Sequence, residues 1–192
     1  MLLVGSVARN TGKTIFCTEF IARHATLPGG VTGVKITTIY GKKGDCHRAG
    51  QHEGYSGCGA CSAFTGDFEI TQEIDPTGSK DTNLLLRAGA KQVYWLRSTL
   101  ERFPEAAKLL LKALPKDTLI VCESNSLVKF VKPGAIVVTY RRGVEAEKQS
   151  AQLMIQMADF TVDISVPDEL EKVIEKIAVN KTQGGIAVSP RR

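Results

Sequence analysis

The chain lacks any apolar run long enough to cross a membrane, and its first residues lack the charged and apolar layout of a signal peptide. The opening stretch from Leu2 to Val4 is too short for either role and predicts a strand instead. We therefore expect a cytoplasmic protein without a membrane partner. The 192 residues are enough for one domain, spanning 1–192, with a buried core of its own.

Also missing is a basic stripe interleaved with aromatic residues. The net charge is +5, but the lysines and arginines are scattered, and their densest clusters are Lys42-Lys43, Arg141-Arg142 and Arg191-Arg192. A nucleic-acid partner is therefore not indicated. The Asn-Lys-x-Asp signature of many GTP-binding proteins is absent as well, so the sequence leaves both GTP and ATP open as ligands.

What the sequence does contain is a phosphate-binding motif close to its start. The tripeptide Gly12-Lys13-Thr14 lies between a predicted buried strand, 2–8, and an apolar helical run, 15–25, which is the context that a P-loop requires. Loop and helix-start amides then bind an anion, Lys13 adds a positive charge, and the Thr14 hydroxyl can hold Mg²⁺. The strict motif has glycine where Val7 stands, and we expect Val7 to end the strand. The residues predicted to contact the nucleotide here are Asn10, Thr11, Gly12, Lys13, Thr14 and Ile15.

Strand and helix patterns alternate along the rest of the chain. Predicted strands cover 31–39, 92–96, 118–122, 135–139 and 160–164, with a small edge strand at 186–188. Predicted helices cover 81–90 and 100–114, a weaker helix ends at 157, and a final helix is marked by Leu170, Val173, Ile174 and Ile177. This order predicts a three-layer α/β domain with a mostly parallel sheet. The P-loop and the carboxyl ends of strands 31–39 and 118–122 should meet at its ligand-binding edge.

Two charged residues are expected at that edge. Glu123 follows the strand 118–122, where P-loop enzymes place an acidic residue that holds Mg²⁺ or its water, although a solvated loop carboxylate is the alternative. Lys35 interrupts an apolar strand, so it either provides a second cation near a triphosphate or faces solvent near the strand end. We assign Lys13 and Glu123 as candidate catalytic residues and Thr14 and Glu123 as candidate Mg²⁺ ligands.

A cysteine-rich insert at about 40–75 interrupts the alternation and is long for a plain loop. Its Cys-x-x-Cys knuckle, a third cysteine and a histidine form a candidate metal site from Cys46, His52, Cys58 and Cys61. These ligands fit a zinc ion, which we favour, or an iron–sulfur cluster. A redox pair and unrelated free thiols are the other interpretations. The remaining two cysteines lie in apolar segments and are predicted to be buried and inert, namely Cys17 and Cys122.

Several of these motifs occur together in one known family. The chain resembles the molybdopterin-guanine dinucleotide biosynthesis protein B (MobB) family at Gly12-Lys13-Thr14, Gly33-Val34-Lys35, Asp75 to Thr82, Ala88-Gly89-Ala90 and Glu123. The family pattern has an Asp, then Gly-Lys-Asp-Ser/Thr, then Ala-Gly-Ala, and a strand that ends in Glu-Gly. This chain departs from it with an additional Ser79, with Ser124 in place of glycine, and with Ile36-Thr37-Thr38 where the family tends to carry histidines.

The resemblance implies a P-loop NTPase fold, a homodimer, and an accessory role with a partner protein in attaching a guanine nucleotide to molybdopterin. It also implies roles for individual residues. Lys13 and Thr14 would bind phosphate and Mg²⁺, and Glu123 would lie near the metal or water. The nucleotide-responsive region would be lined by Lys35, Asp75, Lys80 and Asp81.

The sequence therefore favours a P-loop protein that binds Mg²⁺ with GTP or ATP and hydrolyses the nucleotide slowly. Its role would be as an accessory in molybdopterin dinucleotide or other metallocofactor biosynthesis. The alternative is a metallochaperone-like protein that delivers a metal or iron–sulfur cluster from the Cys46, Cys58 and Cys61 site, with nucleotide as a timing switch. A nucleotide kinase ranks last, because the sequence contains no arginine-rich lid.

Overall fold

The computed structural model describes residues 1–39, 64, 66–146 and 149–191. Over these residues the chain has an α/β fold with alternating strands and helices. The strands are β1 (Leu2–Ser6), β2 (Val31–Ile39), β3 (Phe68–Glu73), β4 (Gln92–Thr99), β5 (Leu119–Glu123), β6 (Ala135–Tyr140), β7 (Phe160–Asp163), β8 (Ile177–Thr182) and β9 (Gly185–Pro190). The α-helices are α1 (Lys13–His24), α2 (Asp81–Arg87), α3 (Phe103–Ala113), α4 (Gln149–Met157) and α5 (Glu169–Glu175).

The first seven strands form one sheet in the order β3-β4-β2-β5-β1-β6-β7. Each neighbouring pair is parallel except β3 with β4, which is antiparallel at the edge of the sheet. All five residues of β1 are buried, as expected of a central strand that is covered on both faces. The predicted mostly parallel sheet is confirmed, and β1 lies between β5 and β6 with its carboxyl end open to the loop that leads into α1.

Helices cover both faces of this sheet, which gives three layers. On one face, α1, α2 and α5 bury apolar side chains against the strands, among them Phe16, Phe20, Leu85, Val173, Val4 and Val121. On the other face, α3 and α4 do the same, with Phe103, Leu110, Met154, Leu3, Val34 and Cys122 among the buried residues. Side chains of successive strand residues point to opposite faces, so each strand contributes to both groups.

Helix α1 follows the loop after β1 and holds the motif residues in place. Its buried residues Phe16, Cys17, Phe20 and Ile21 recur at helical spacing and form one stripe against the sheet. No helix among the described residues is both long enough and apolar enough to cross a membrane.

Two elements differ from the sequence-based expectation. The predicted insert, 40–75, includes β3, whose six residues pair along β4 at an edge where only partial burial is needed. The predicted final helix included Ile177, whereas α5 ends at Glu175 and Ile177 begins β8. Ile177 is buried, and its spacing from the apolar residues of α5 fits a helix as well as the start of a strand. Apolar periodicity alone therefore did not show where the helix ends.

Candidate functional site

The loop between β1 and α1 is built around one tight turn. β1 ends at Ser6, one residue before the predicted strand end at Val7, and the Val7 N–H still donates to the Thr139 carbonyl of β6 at 3.1 Å. The chain turns after it, and the Thr11 hydroxyl closes the turn by donating to the Ala8 carbonyl at 2.8 Å. Val7 does not have a positive φ, so the turn does not require glycine at that position.

Glycine is required at the end of the turn instead. Gly12 has a φ of 94°, in the left-handed region, and directly precedes α1. A Cβ at Gly12 would overlap the Ile164 side chain, with Cδ1 of that residue at 2.8 Å. Asn10 also has a positive φ, 55°, which asparagine tolerates better than most residues. The loop therefore reaches α1 through two residues suited to its backbone.

The first turn of α1 presents unpaired amides at this loop. The first intrahelical bond runs from the Phe16 N–H to the Gly12 carbonyl at 2.9 Å, so the N–H groups of Lys13, Thr14 and Ile15 have no acceptor within the helix. The helix carries neither a side-chain cap nor an acidic residue in its first turn. Such an end, with its positive dipole, is suited to an anion.

The Lys13 ammonium folds back over the end of β1. Its Nζ donates to the Ser6 hydroxyl at 2.5 Å, and that hydroxyl donates to the Ala8 carbonyl at 2.6 Å. The Asn125 side chain fixes Ser6 from the neighbouring strand end: its Oδ1 accepts from the Ser6 N–H at 2.9 Å and its Nδ2 donates to the Ser6 carbonyl at 2.7 Å. Burial lowers the pKa of Lys13, although the nearby Glu123 carboxylate opposes that shift.

Beside Lys13, four elements (α1, β2, α2 and β5) bring together an ion cluster, defined as Thr14, Lys35, Asp81 and Glu123. Lys35 and Glu123 are register partners on β2 and β5, and the Lys35 ammonium contacts Glu123 Oε1 directly. The same ammonium lies 2.5 Å from Asp81 Oδ2. The Thr14 hydroxyl lies 3.2 Å from Asp81 Oδ1 and 3.1 Å from Glu123 Oε2. One hydroxyl and one ammonium thus lie between the same two carboxylates.

The burial of Lys35 and Glu123 argues against the alternative that either side chain faces solvent. The Glu123 side chain is 2% exposed and the Lys35 side chain 16% exposed, so neither is a solvent-facing residue. Burial disfavours the charged form of Lys35, but Glu123 and then Asp81 outweigh it and raise the pKa of the ammonium. Burial likewise works against the charged form of Asp81, and Lys35 outweighs it and lowers the pKa of that carboxyl. Lys35 and Asp81 are therefore charged at neutral pH in the arrangement that the structure shows.

A turn braced by side chains places Asp81 in the ion cluster. The Asn83 amide donates to the Asp75 carbonyl at 2.6 Å and its oxygen accepts from the Lys80 N–H at 2.9 Å. Glu73, the last residue of β3, accepts from the Thr82 hydroxyl at 2.7 Å. These bonds tie the start of α2 to the end of β3, so that Asp81, the first residue of the helix, points towards Thr14 and Lys35.

The remaining predicted site residues lie further from the ion cluster. Asp75 is exposed and accepts from the Thr77 N–H and hydroxyl at 2.8 and 2.6 Å, so it shapes its own turn. Lys80 is exposed beside Trp95, with Nζ 5.8 Å from the ring centroid. The Ile15 side chain is half exposed and lines a cleft between α1 and α2, next to Thr14. Asn10 is exposed at the tip of the loop.

The predicted cysteine site falls outside the described residues, which include none of Cys46, His52, Cys58 and Cys61. Within the described ranges no group of three or more His, Cys, Asp or Glu side chains could hold a metal ion. Cys17 and Cys122 are fully buried free thiols, as predicted, and burial raises the pKa of both. They are packing residues of the two faces of the sheet.

Sequence reasoning missed the supporting contacts of this site. It had no reason to select Ser6, because a serine that ends an apolar strand is common. It also did not predict that the Asn125 amide pairs with the backbone of Ser6. The one available signal was position: both residues lie where parallel strands β1 and β5 end side by side.

Comparison with known proteins found no relative of this chain. No family model matches it, and no match was found among the curated proteins or the solved structures. The features that bear on function are therefore the loop, the helix start and the ion cluster.

Proposed function

We propose that the protein binds a nucleoside triphosphate together with Mg²⁺ at the loop before α1, and hydrolyses it slowly. One observation carries this proposal. The Thr14 hydroxyl, on the first turn of a helix with free amides, lies within 3.2 Å of carboxylate oxygens from both Asp81 and Glu123. This combination places an anion site and a group of hard oxygen ligands next to each other.

The residues present fit Mg²⁺, which prefers carboxylate, hydroxyl and phosphate oxygens. Thr14, Asp81 and Glu123 would hold it, directly or through water. When bound, the ion would supply positive charge to the phosphate oxygens. The Lys35 ammonium now balances the same two carboxylates, so its charge and that of Mg²⁺ compete for them.

The chain's own groups have distinct roles in this proposal. Free amides of Lys13, Thr14 and Ile15 bind phosphate oxygens, and Lys13 leaves the Ser6 hydroxyl to stabilise the charge that develops on the transferred phosphoryl group. Glu123 orients the attacking water. Its burial and its bond from Lys35 keep that carboxylate in one place.

Asp81 links the site to the rest of the molecule. Because it is the first residue of α2 and contacts both Lys35 and Thr14, any change of charge at the ion cluster acts on the start of that helix. We infer that nucleotide state is communicated through α2 to a partner protein, as in other nucleotide switches. Together with the motifs shared with the MobB family, this favours an accessory role in the assembly of molybdopterin dinucleotide or another metal-containing cofactor.

The alternative of a metal-delivery protein depends on Cys46, His52, Cys58 and Cys61, and it stays a prediction from the sequence. Metal and sulfide analysis of protein purified without oxygen, compared with a Cys58→Ser variant, separates the two functions. A metal or cluster that is lost in the variant favours delivery.

Binding of a fluorescent GTP or ATP analogue in the presence of Mg²⁺ tests the proposal. We expect Lys13→Ala to weaken binding by at least about tenfold, because one charge-assisted hydrogen bond to phosphate is lost. Lys108→Ala is the matched control, since Lys108 is exposed on α3, on the opposite face of the sheet. Equal affinities of Lys13→Ala and wild type, or no binding by wild type, would overturn it.

A further inference from the structure

The oxygen atoms of the ion cluster converge on one point with a single proton between them. The Thr14 hydroxyl lies 3.2 Å from Asp81 Oδ1 and 3.1 Å from Glu123 Oε2. A hydroxyl has one proton, so it donates to only one of these carboxylates, and its lone pairs face the other. Three converging oxygens of this kind are the ligand set that a hard cation favours.

In the structure, the positive charge beside these oxygens comes from the chain itself. The Lys35 ammonium contacts the second oxygen of each carboxylate, Glu123 Oε1 and, at 2.5 Å, Asp81 Oδ2. Lys35 is mostly buried, and its partners are fixed from two sides, by the register of β2 with β5 and by the start of α2. The ammonium therefore neutralises the carboxylates that a divalent cation would need.

The charges of the ion cluster work against a divalent cation in the free protein. Two carboxylates and one ammonium carry one net negative charge. A divalent cation at the same carboxylates would lie close to that ammonium, and positive charges repel strongly in a partly buried site. The Lys13 ammonium lies in the same field: burial lowers its pKa, Glu123 raises it and Lys35 lowers it. The free protein thus disfavours metal alone while Lys35 keeps its contacts.

The ion cluster is open to solvent on the side of α1 and α2. The Asp81 side chain is 44% exposed, and Thr14 lines a cleft of about 350 Å³ between the two helices. Glu123 and Lys35 lie further in. An ion from solvent therefore reaches Thr14 and Asp81 first, and the ammonium behind them determines whether both carboxylates are available.

A bound phosphate would change this balance. The free amides at the start of α1 lie next to Thr14, so phosphate there brings negative charge beside the ion cluster. Lys35 carries its ammonium on a flexible stem, which can turn from a carboxylate to a phosphate oxygen without moving β2. Both carboxylates then become available to a cation that also contacts the phosphate.

We propose that Lys35 occupies the place of the divalent cation in the nucleotide-free protein and keeps that cation out until phosphate draws the ammonium away. Lys35 is then a positioning residue that couples the two ligands, so that each binds more tightly in the presence of the other. The coupling rests on the proposed function, whereas the exclusion of metal by Lys35 is a property of the free chain and is testable without nucleotide.

The test is a titration of the nucleotide-free full chain with Mn²⁺ alone, which accepts the same oxygen ligands as Mg²⁺ and whose free form gives an electron paramagnetic resonance signal. We expect Lys35→Met to bind Mn²⁺ at least about tenfold more tightly than wild type, because the competing charge is gone. Lys35→Arg keeps the charge and should bind as weakly as wild type. Lys108→Met, which removes an exposed lysine of α3, is the matched control and should also match wild type.

A double variant locates the metal. Adding Glu123→Gln to Lys35→Met should abolish the gain, because one of the two carboxylates is lost. Lys35→Met leaves Glu123 without its buried partner, so its thermal stability is measured with and without Mn²⁺, and we expect Mn²⁺ to stabilise it more than wild type. Equal Mn²⁺ affinity in Lys35→Met and wild type, a gain that survives Glu123→Gln, or a Lys35→Met chain that does not fold even with Mn²⁺ would each overturn the proposal.

The coupling is measured by repeating the Mn²⁺ titration with a non-hydrolysable GTP or ATP analogue. Wild type should gain Mn²⁺ affinity with the analogue, and Lys35→Met should gain at least about tenfold less, since its site is already open. An equal gain in both proteins would overturn the coupling. Failure of wild type to bind the analogue at all would reject the proposed function instead, and the titration with Mn²⁺ alone would still decide whether Lys35 excludes the metal.

Discussion

Glu123 is the residue on which the most contacts of the candidate site depend. It is almost fully buried at the end of β5, and its two oxygens accept from Lys35 and from Thr14. A buried carboxylate of this kind is costly unless it is paired, and its partner becomes costly when the pair is broken. Glu123 therefore contributes to folding as well as to the chemistry that we propose.

Replacing Glu123 by Gln keeps the shape of the side chain and removes its charge. We expect a loss of about 3 kcal/mol in the free energy of unfolding, because Lys35 is left buried with Asp81 as its one remaining contact in the ion cluster. Chemical denaturation measures the change.

The control is the same substitution at Glu105, whose exposed carboxylate lies 3.2 Å from Arg102. Glu105→Gln should cost no more than about 1 kcal/mol. Equal losses of stability in the two variants would show that the buried Lys35–Glu123 pair contributes no more than an exposed ion pair.

For individual residues, the sequence predicted which side chains belong to the candidate site better than it predicted what they contact. Position after a buried strand marked Glu123, and a charge within an apolar strand marked Lys35. Their direct contact could not be derived, because it depends on the register of β2 against β5. Asp81 is both the first residue of α2, where a negative charge is favourable, and a contact of Lys35 in the ion cluster.

Among the elements, the junction of β1 with α1 is the most constrained. Ile164 packs against Gly12 from the turn after β7, and that turn is fixed by Asp163. The Asp163 carboxylate accepts from the Ser165 N–H at 3.0 Å and from its hydroxyl at 2.5 Å, and these bonds lower its pKa. The shape of the loop before α1 is thus set partly from the far edge of the sheet.

A Gly12→Ala variant tests this constraint. We expect it to lose about 1 to 3 kcal/mol more stability than Gly143→Ala, as measured by denaturation. Both glycines have a positive φ, 94° and 81°, so both variants bear the cost of a left-handed alanine. Only Gly12 has a side chain against it, since nothing lies within 4 Å of a Cβ at Gly143.

The extra cost should shrink when Ile164 is also replaced by Ala, because the two side chains would no longer overlap. An extra cost that is unchanged in the Ile164→Ala background would show that this contact does not shape the loop.

The elements that the sequence failed to predict are the peripheral ones. In β3, Phe68 and Ile70 alternate with polar residues, and this edge strand needs only one partner, so its signal was lost within the predicted insert. Only one strand of the β8–β9 hairpin was predicted. A strand was expected at 186–188, within β9, whereas the start of β8 was assigned to the final helix. Long central elements such as β1, α1 and α3 carry a strong apolar pattern and were predicted at nearly their full extent.

For the molecule as a whole, the order of strands in the sheet determines which residues meet at the candidate site. The sheet places β1 beside β5 and β5 beside β2, so the loop before α1, Glu123 and Lys35 occupy adjacent positions along one edge. Strand alternation was enough to predict that these ends would meet. The contribution of α2 was not predictable in the same way, because it depends on the braced turn between β3 and Asp81.

The Mg²⁺ dependence of nucleotide binding tests the central claim most directly. Affinity for a fluorescent GTP or ATP analogue would be measured with Mg²⁺ and with EDTA, in wild type and in Thr14→Val. Thr18→Val, one turn further along α1, is the control, because its hydroxyl bonds only the Ile15 carbonyl among the described residues. We predict that Mg²⁺ strengthens binding by at least about tenfold in wild type and Thr18→Val, and that Thr14→Val loses this gain. Equal affinity with and without Mg²⁺ in wild type, or a full Mg²⁺ effect in Thr14→Val, would contradict the account.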